Sequence, residues 1–368
     1  MENWYFIVGA VGGILLLLFI IYLISVLISP TVNYVGKHVL ITGGSQGIGL
    51  EVALEYVRQG AHVTIAARNI AQLELAAEQL KAVRISQTQI VRYVAIDVSR
   101  GIDEVKAALD PIVQEVGHVH TIVNSAGIFS AREFSKTSQK EFERMINVNV
   151  LGSIYATHAV VDGMMSHKGG RIVFIASQVA HVSIYGYSAY GASKWALRGL
   201  AESLQMELRP YGIYVSVSYP PDTDTPGYKI EMLDKPEITK KLSESGVFSP
   251  ESIAKDIVYY SKKGYFAISN GFDGWMLKQL HPGMSPVNNI WEVTQQILFC
   301  SLFRIVSLFY ILSWDSIIKE ETDVDAVSNS TESPISSVNN VHVETSSPEP
   351  VATSEKPKIK KSSKNSKK

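Results

Sequence analysis

Short apolar segments alternate with helix-forming segments from Lys37 to about residue 220, and this alternation restricts the fold more than any other feature. Between the apolar segments lie stretches with helical spacing, such as 50–60 and 71–83. Strand–helix repeats of this kind build right-handed units around a parallel sheet with helices on both faces. The sequence therefore predicts an α/β fold, a Rossmann-type doubly wound parallel sheet. Six strands are predicted: KHVLITG (37–43), HVTIAAR (62–68), IVRYVAIDV (90–98), TIVNSAG (121–127), GRIVFIAS (170–177) and IYVSVSYP (213–220).

A glycine-rich loop, TGGSQGIG at 42–49, follows the first predicted strand and opens the first predicted helix. Glycines allow a sharp turn and let a pyrophosphate approach the backbone at a helix N-terminus, where free N–H groups favour anions. The loop therefore predicts a dinucleotide site. Its expected members are Gly43, Ser45, Gln46, Gly47, Ile48 and Gly49.

The same letters contain the G-x-S-x-G pattern of a hydrolase nucleophile, with Ser45 at its centre. A hydrolase nucleophile normally follows several strands, and an acid and a histidine come after it. Because Ser45 follows the first strand, we favour a loop hydroxyl that bonds phosphate or backbone.

Arg68 stands at the end of the second predicted strand, where an NAD site would carry Asp or Glu for the ribose 2′-hydroxyl. An arginine suits a 2′-phosphate instead, through charge-assisted hydrogen bonds. The predicted cofactor is therefore NADPH, and a solvated surface arginine is the alternative interpretation.

Three tyrosines lie in the segment YGYSAYGASK, and only Tyr190 has a lysine, Lys194, four residues further on. Positions i and i+4 share a helix face, and an ammonium stabilises a phenolate. The pair therefore predicts a lowered pKa for Tyr190 and a proton donor for a ketone oxygen. Ser177 ends a predicted strand upstream, at the edge where α/β folds bind ligands. Tyr185 and Tyr187 are expected to pack or to line the substrate cleft.

These motifs together resemble the short-chain dehydrogenase/reductase family over about residues 36–285. The resemblance implies that Tyr190 is the acid/base, and that Lys194 lowers its pKa and binds the nicotinamide ribose. It implies that Ser177 bonds the substrate oxygen, that Asn149 holds a water linked to the lysine, and that Asp97 contacts the adenine. The motifs that carry it are the glycine loop, Asp97-Val98, Asn124-Ser125-Ala126-Gly127, Asn149, Ser177 and the pair Tyr190 and Lys194.

The resemblance also implies cofactor contacts for Val98, Asn124, Ala126 and Gly127, and a bond from Thr225 to the nicotinamide amide. The chain departs from the family pattern at three positions. A second asparagine is usual at Ser125, a glycine at Pro221, and a lysine near the 2′-phosphate is frequent at Gln72.

The segment YPPDTDTPG at 219–227 and the apolar segments at both ends of the chain resemble the membrane-bound reductases of early sphingolipid synthesis. That resemblance implies reduction of a long-chain lipid ketone, 3-oxosphinganine, to sphinganine with NADPH at the endoplasmic reticulum membrane. A membrane reductase of another lipid ketone (steroid, retinoid or 3-oxoacyl) is the alternative, and a catalytically silent membrane scaffold is a second one. By family analogy the chain forms a homodimer through the helix that carries the tyrosine.

Residues 5–29 carry no charge and are long enough to cross a bilayer as a helix. A signal peptide would begin with basic residues and have a shorter apolar core. Lys37, His38 and Arg58 follow the segment, so positive charge places the main domain on the cytosolic side. We expect a transmembrane anchor at 1–30, ended by Pro30, and a reductase domain at 31–285.

A second apolar segment, 286–318, contains Glu292 and Arg304. Charges inside an apolar segment disfavour a spanning helix, so we predict a membrane-associated segment that lies on the bilayer or re-enters it. Residues 319–368 are rich in Ser, Thr, Pro and Glu, end in a basic run and lack apolar periodicity, which predicts a disordered tail.

Composition gives no support to two classes of function. The formal net charge of −1 offers no basis for binding nucleic acid. Cys300 is the only cysteine, so the sequence contains neither a zinc-type cluster nor a pair for an intrachain disulfide, and no metal is predicted.

Overall fold

A computed structural model describes residues 2–27, 31–243 and 246–331. Within these residues, seven parallel strands form one sheet in the order β3-β2-β1-β4-β5-β6-β7. The six predicted strands are confirmed, and the short edge strand β7 adds a seventh. The strands are β1 (His38–Thr42), β2 (His62–Ala67), β3 (Val91–Ala95), β4 (Val119–Asn124), β5 (Gly170–Ile175), β6 (Ile213–Tyr219) and β7 (Ala267–Ser269).

Twelve α-helices occur in the same described residues, and a π-helical segment, Ile146–Leu151, joins α5 to α6. The helices are α1 (Glu2–Leu27), α2 (Gly47–Arg58), α3 (Ile70–Ala82), α4 (Ile102–Val116), α5 (Gln139–Met145), α6 (Gly152–Ser166), α7 (Ser188–Leu208), α8 (Pro226–Asp234), α9 (Glu237–Leu242), α10 (Pro250–Lys262), α11 (Gly271–Leu280) and α12 (Ile290–Thr331).

Helices cover both faces of the sheet, which confirms the doubly wound architecture. One face packs against α2, α3 and α10, where Val52 and Ile257 are fully buried. The other packs against α4, α6 and α7 through residues such as Val160 and Leu197. Strand order reverses between β1 and β4. The carboxyl ends of the strands therefore border a crevice at this switch point, the usual ligand site of such sheets.

Two helices of the described chain are long and apolar enough to cross a membrane, judged by length and composition: Tyr5–Ile24 within α1 and Ile290–Thr322 within α12. The predicted stop at Pro30 lies outside the described residues. The ring of Tyr22 in α1 packs edge-on against that of Trp291 in α12, with 5.8 Å between centroids.

His38 does not contribute to the positive charge that follows α1. Its ring is buried, with Nδ1 2.8 Å from the Gly117 carbonyl oxygen and Nε2 2.8 Å from Thr64 Oγ1. Burial lowers the pKa of His38 to about 4. The positive charge that follows α1 in this part of the chain is therefore carried by Lys37 and Arg58.

The C-terminal helix α12 extends beyond the predicted boundary at residue 318. It is continuous for 42 residues, so 319–331, predicted to be disordered, continue the helix, while 332–368 lie outside the described residues. Lys319, Glu320 and Glu321 are good helix formers, and extending an existing helix is easier than starting one. An unbroken helix also leaves no chain reversal for a re-entrant form. Contacts group the described residues up to Thr322 into one compact unit.

Candidate active site

The carboxyl ends of the strands border one cavity of about 850 Å³. Most of the predicted site residues line it, and two asparagines, Asn124 and Asn149, lie behind its lining. The predicted residues that line the cavity are Gly43, Ser45, Gln46, Gly47, Ile48, Gly49, Arg68, Asp97, Val98, Ala126, Gly127, Ser177, Tyr190, Lys194 and Thr225.

Close backbone contacts explain the glycine loop. Gly43 and Gly47 have φ angles of 67° and 57°, in the left-handed region. A Cβ on Gly49 would lie 2.4 Å from the carbonyl oxygen of Gly43, and one on Gly43 would lie 2.7 Å from the nitrogen of Ala126. The side chain of Gln46 does not cap α2, which leaves the first N–H groups of the helix for an anion.

The end of β2 carries a cation and amides where an NAD site would carry a carboxylate. Arg68 lines the cavity together with Asn69 and Gln72. The side chain of Asn69 accepts a hydrogen bond from the Gln72 nitrogen at 3.2 Å, which caps α3. This arrangement presents donors to an anion, as a phosphate site requires.

Asp97 caps the turn that follows β3. Its carboxylate accepts hydrogen bonds from the nitrogen and hydroxyl of Ser99, at 3.0 and 2.7 Å. Burial by itself raises the pKa of Asp97, but the bonds from Ser99 and the charges of Arg68 and Arg100 outweigh it, and the pKa is lowered. Asp97 is thus a fixed carboxylate at the edge of the cavity.

Ser177, Tyr190 and Lys194 border the same part of the cavity. Tyr190 and Lys194 lie on one face of α7, with the lysine Nζ 5.6 Å from the centre of the tyrosine ring. Lys194 Nζ donates to the carbonyl oxygen of Ile175 at 2.8 Å, which fixes its position. Ser177 follows β5, accepts a hydrogen bond from the Val179 nitrogen at 3.2 Å and also bonds Tyr190.

The pKa of Tyr190 is shifted in the direction opposite to the prediction. Burial raises it, the charge of Glu231 raises it further, and the bond with Ser177 lowers it only in part. Lys194 is buried as well, and burial lowers its pKa to about 8. The sequence showed the lysine beside the phenol but not the desolvation of both groups.

Asn149 supports the site without lining the cavity. Its Oδ1 accepts from the Ile128 nitrogen at 2.8 Å, and its Nδ2 donates to the Ile128 carbonyl oxygen and to Ser193 Oγ, both at 2.9 Å. These bonds tie the loop after β4 to α7, so Asn149 is a positioning residue here. Its predicted water contact stays a prediction.

Asn124 is buried at the end of β4, and its Nδ2 donates to Thr157 Oγ1 at 2.9 Å. It holds α6 against the sheet, and its predicted cofactor contact is untested. Of the two remaining tyrosines, Tyr187 lines the cavity, whereas Tyr185 is not among the lining residues that the structure describes.

Thr225 caps α8 and brings the turn after β6 over the glycine loop. Its hydroxyl accepts from the Tyr228 nitrogen at 3.0 Å. A Cβ on Gly47 would lie 3.2 Å from Thr225 Cγ2. Pro220 and Pro221 line the cavity at the same turn, so the proline that replaces the usual glycine still belongs to the site.

An acidic group beside the tyrosines was missed by the sequence analysis. The hydroxyl of Tyr187 donates a hydrogen bond to the carboxylate of Glu231 on α8. The ring centre of Tyr187 lies 5.5 Å from the ring centre of Tyr190. Lys235 lies 3.7 Å from Glu231 and 3.5 Å from Asp222. Burial raises the pKa of Glu231. Two carboxylates against one ammonium leave a net negative formal charge near the Tyr190 phenol. Glu231 lies in no motif, so only its position reveals it.

The cavity extends to the two C-terminal helices of the described unit, which the motifs did not predict. The lining residues there are Asp273, Met276, Leu277 and Leu280 of α11, His281 directly after it, and Arg304, Ser307, Tyr310, Ile311 and Trp314 of α12.

Known proteins are similar to this chain in sequence and in fold. A family model described as short chain dehydrogenase matches residues 37–233, which contain the predicted site from the glycine loop to Thr225. A 3-dehydrosphinganine reductase from Danio rerio is 44% identical over 302 residues, which cover 82% of this chain and 91% of the relative. A 3-ketodihydrosphingosine reductase from Bos taurus is 42% identical over 312 residues, covering 84% and 94%.

Among solved structures, a 3-oxoacyl-[acyl-carrier protein] reductase from Brucella melitensis with bound NAD is similar, with 27% identity and a TM-score of 0.54. The match covers 62% of this chain and 85% of that chain. More than a third of the present chain therefore lies outside this match.

Proposed function

This chain belongs to the short-chain dehydrogenase/reductase family, whose members use a nicotinamide cofactor, and we propose that it reduces 3-oxosphinganine to sphinganine with NADPH. The observation that carries the proposal is the single cavity in which Ser177, Tyr190 and Lys194 meet an acidic group and an apolar wall. The relatives named for this reaction match 82% and 84% of this chain.

The reaction follows from the chemistry of the three side chains. A reduced nicotinamide, when bound, supplies the hydride. Tyr190 donates its proton to the ketone oxygen, and the Ser177 hydroxyl, already bonded to Tyr190, donates to the same oxygen. The ammonium of Lys194, whose Nζ lies 5.6 Å from the centre of the Tyr190 ring, stabilises the phenolate that forms.

The preference for NADPH is supported by the end of β2. Arg68, Asn69 and Gln72 present donors at the edge of the cavity. A guanidinium binds a 2′-phosphate by charge-assisted hydrogen bonds, and a carboxylate that would hold a 2′-hydroxyl is replaced here by a cation.

The acidic group favours an amino ketone over the other lipid ketones. 3-Oxosphinganine carries an ammonium on the carbon beside its ketone, whereas steroids, retinoids and 3-oxoacyl chains carry no such cation. Asp222 and Glu231 line the cavity beside Tyr190, and their net charge with Lys235 is negative. A carboxylate at this position can bind the ammonium while the ketone lies at the phenol.

Membrane association is supported by the two apolar helices. A long alkyl chain partitions into the bilayer by about 0.8 kcal/mol per CH₂, so the enzyme has to meet its substrate at the membrane. We place the protein in the endoplasmic reticulum membrane with the reductase domain in the cytosol, because Lys37 and Arg58 follow α1. Protease protection in sealed microsomes tests this orientation. A homodimer through α7 is part of the same proposal.

The decisive experiment measures NADPH oxidation and sphinganine formation by full-length protein in detergent with 3-oxosphinganine. Tyr190→Phe should abolish turnover, Tyr185→Phe should retain it, and NADH should support it poorly. A wild-type protein that binds NADPH but ignores this ketone would refute the substrate and redirect the search to other lipid ketones. If the Tyr190→Phe protein kept full cellular function, the scaffold alternative would replace the enzyme.

A further inference from the structure

One face of α12 lines the active-site cavity. Ser307, Tyr310, Ile311 and Trp314 all border it, and their spacing of three or four residues is that of a single helix face. Arg304 begins the same row one turn earlier. Glu292 is the second charge that disfavours a spanning helix in this segment. It is buried, and its Oε1 lies 2.6 Å from Lys278 Nζ. Glu292 therefore faces protein, and Arg304 borders the cavity.

α11 presents a matching face to the same cavity. Met276, Leu277 and Leu280 line it with the same three- and four-residue spacing. Together with Tyr310, Ile311 and Trp314 they form an apolar passage between the two helices, here named the α11–α12 slot. The slot is continuous with the space at Tyr190 because all of these residues border one cavity.

Contacts at several points hold α12 over the cavity. The rings of Phe299 and Phe303 pack against Trp275 of α11, with centroids 5.3 and 5.2 Å away. Toward the other end, Lys241 of α9 forms an ion pair with Glu321. One end of α12 therefore packs against α11 and the other contacts α9, and the part between them lies where a substrate would enter the cavity.

The opposite face of α12 is apolar and exposed. Its residues follow helical spacing and are Leu298, Leu302, Ile305, Leu308, Phe309 and Leu312, each about half exposed or more. A helix with protein on one face and an exposed apolar row on the other is suited to lie in a bilayer surface. This favours the interfacial form predicted from the sequence over a spanning helix surrounded by lipid.

We propose that the α11–α12 slot binds the alkyl chain of the substrate while the outer face of α12 lies in the bilayer surface. A chain leaving the bilayer then passes from lipid to the slot without crossing water, and its ketone reaches Tyr190. The inference rests on the proposed function for the identity of the substrate, and it extends that function by assigning the chain to a site.

The test compares two adjacent substitutions in the full-length protein in detergent. Ile311→Trp fills the slot, whereas Leu312→Trp, on a side chain that is 65% exposed, adds the same bulk to the outer face. Each variant is assayed with 3-oxosphinganine and with its eight-carbon analogue. Ile311→Trp should lower kcat/KM for the long ketone about tenfold or more and change the short one less than about twofold. Leu312→Trp should change neither by more than about twofold.

If Ile311→Trp lowered kcat/KM equally for both ketones, or if both substitutions had the same effect, the slot would not be the binding site of the alkyl chain. A second readout is independent of turnover: a long-chain ketone with a photoreactive diazirine near its end, followed by mapping of the labelled peptides. Labels in α11 and α12 that Ile311→Trp removes and Leu312→Trp leaves support the slot, and labels elsewhere contradict it. If the wild type reduces neither amino ketone but labels these helices, the proposed substrate fails while the slot stands.

Discussion

Two halves of the cavity are built in different ways. We name each half by the role proposed for it. The cofactor half consists of the glycine loop at 43–49, Arg68 and the pair Tyr190 and Lys194, which lie at strand ends or one helix turn apart. The substrate half consists of residues from α8, α11 and α12, which lie far apart along the chain and meet only in the folded molecule. Changes in the first half should therefore affect every substrate alike, and changes in the second should affect substrates selectively.

The largest effect is expected in the cofactor half, from Gly49→Ala. The added Cβ would lie 2.4 Å from the Gly43 carbonyl oxygen, a backbone atom of the loop that cannot move aside without changing the turn. We expect the affinity for NADPH to fall about 100-fold, because overpacking costs about 1–3 kcal/mol and sometimes more. Binding is measured by titration of NADPH fluorescence, and every substrate should lose turnover in parallel.

Gly199→Ala on α7 is the matched control, since nothing lies within 4 Å of the added Cβ. It should keep wild-type affinity and raise the thermal midpoint slightly, because alanine favours a helix over glycine. Wild-type binding by Gly49→Ala would contradict the assignment of the loop.

The next effect is selective and belongs to the substrate half. Glu231→Gln removes the negative charge beside Tyr187 and Tyr190. With 3-oxosphinganine, kcat/KM should fall about 10- to 100-fold. This is the loss expected when a hydrogen bond to a charged group, which contributes about 1.5–3 kcal/mol, is weakened. With the same ketone lacking its amino group, kcat/KM should hold or rise, because the loss of this charge makes the Tyr190 proton easier to donate.

Glu237→Gln on α9 serves as its control, because that carboxylate is exposed and pairs only with Lys240 among the described residues. If Glu231→Gln weakened both ketones equally, Glu231 would be a structural partner of Tyr187 and Lys235 and would not bind the ammonium.

A smaller effect is expected for Arg68→Ala. Loss of the guanidinium should raise the KM for NADPH about tenfold and leave the KM for NADH nearly unchanged, because only NADPH carries the 2′-phosphate. Arg58→Ala, at the exposed end of α2, should change neither value. An equal rise for both cofactors would remove the argument for NADPH.

The smallest effect, a loss of about twofold at pH 8, comes from the ionisation of Lys194. Burial lowers the pKa of Lys194 to about 8, so the side chain is an ammonium below that pH and neutral above it. Because the ammonium stabilises the phenolate of Tyr190, kcat/KM for ketone reduction should be halved near pH 8 and fall about tenfold per unit beyond it. The profile is measured between pH 6 and 10 at fixed ionic strength. Constant activity up to pH 10 would show that Lys194 keeps its proton.

The sequence was informative where chemistry depends on local spacing. The glycine loop could be predicted because Gly43, Gly47 and Gly49 follow a strand directly. At Gly43 and Gly49 the neighbouring backbone is so close that a residue with a Cβ would clash. The pairing of Tyr190 with Lys194 needed only the helical repeat. Both sites lie within one turn or one strand–helix junction, so the order of residues fixes their geometry.

The sequence failed where burial or distant packing decides the outcome. The raised pKa of Tyr190 comes from desolvation and from Glu231, which is 41 positions away in the chain. The boundary at residue 318 was placed too early, because helix formers continue α12 past the apolar residues. The ion pair of Glu292 with Lys278 of α11 and the position of Arg304 at the cavity depend on tertiary packing, so the sequence did not reveal them.

The sequence by itself determined the doubly wound sheet, the glycine loop after its first strand and the pairing of Tyr190 with Lys194 on one helix face, because apolar periodicity and short spacings act through backbone geometry alone. Only the tertiary structure decided which groups surround the reacting ketone. Glu231, the α11–α12 slot and the outer apolar face of α12 arise when α8, α11 and α12 pack around one cavity. Such packing depends on which helix faces become buried together, and no local pattern in the chain specifies it.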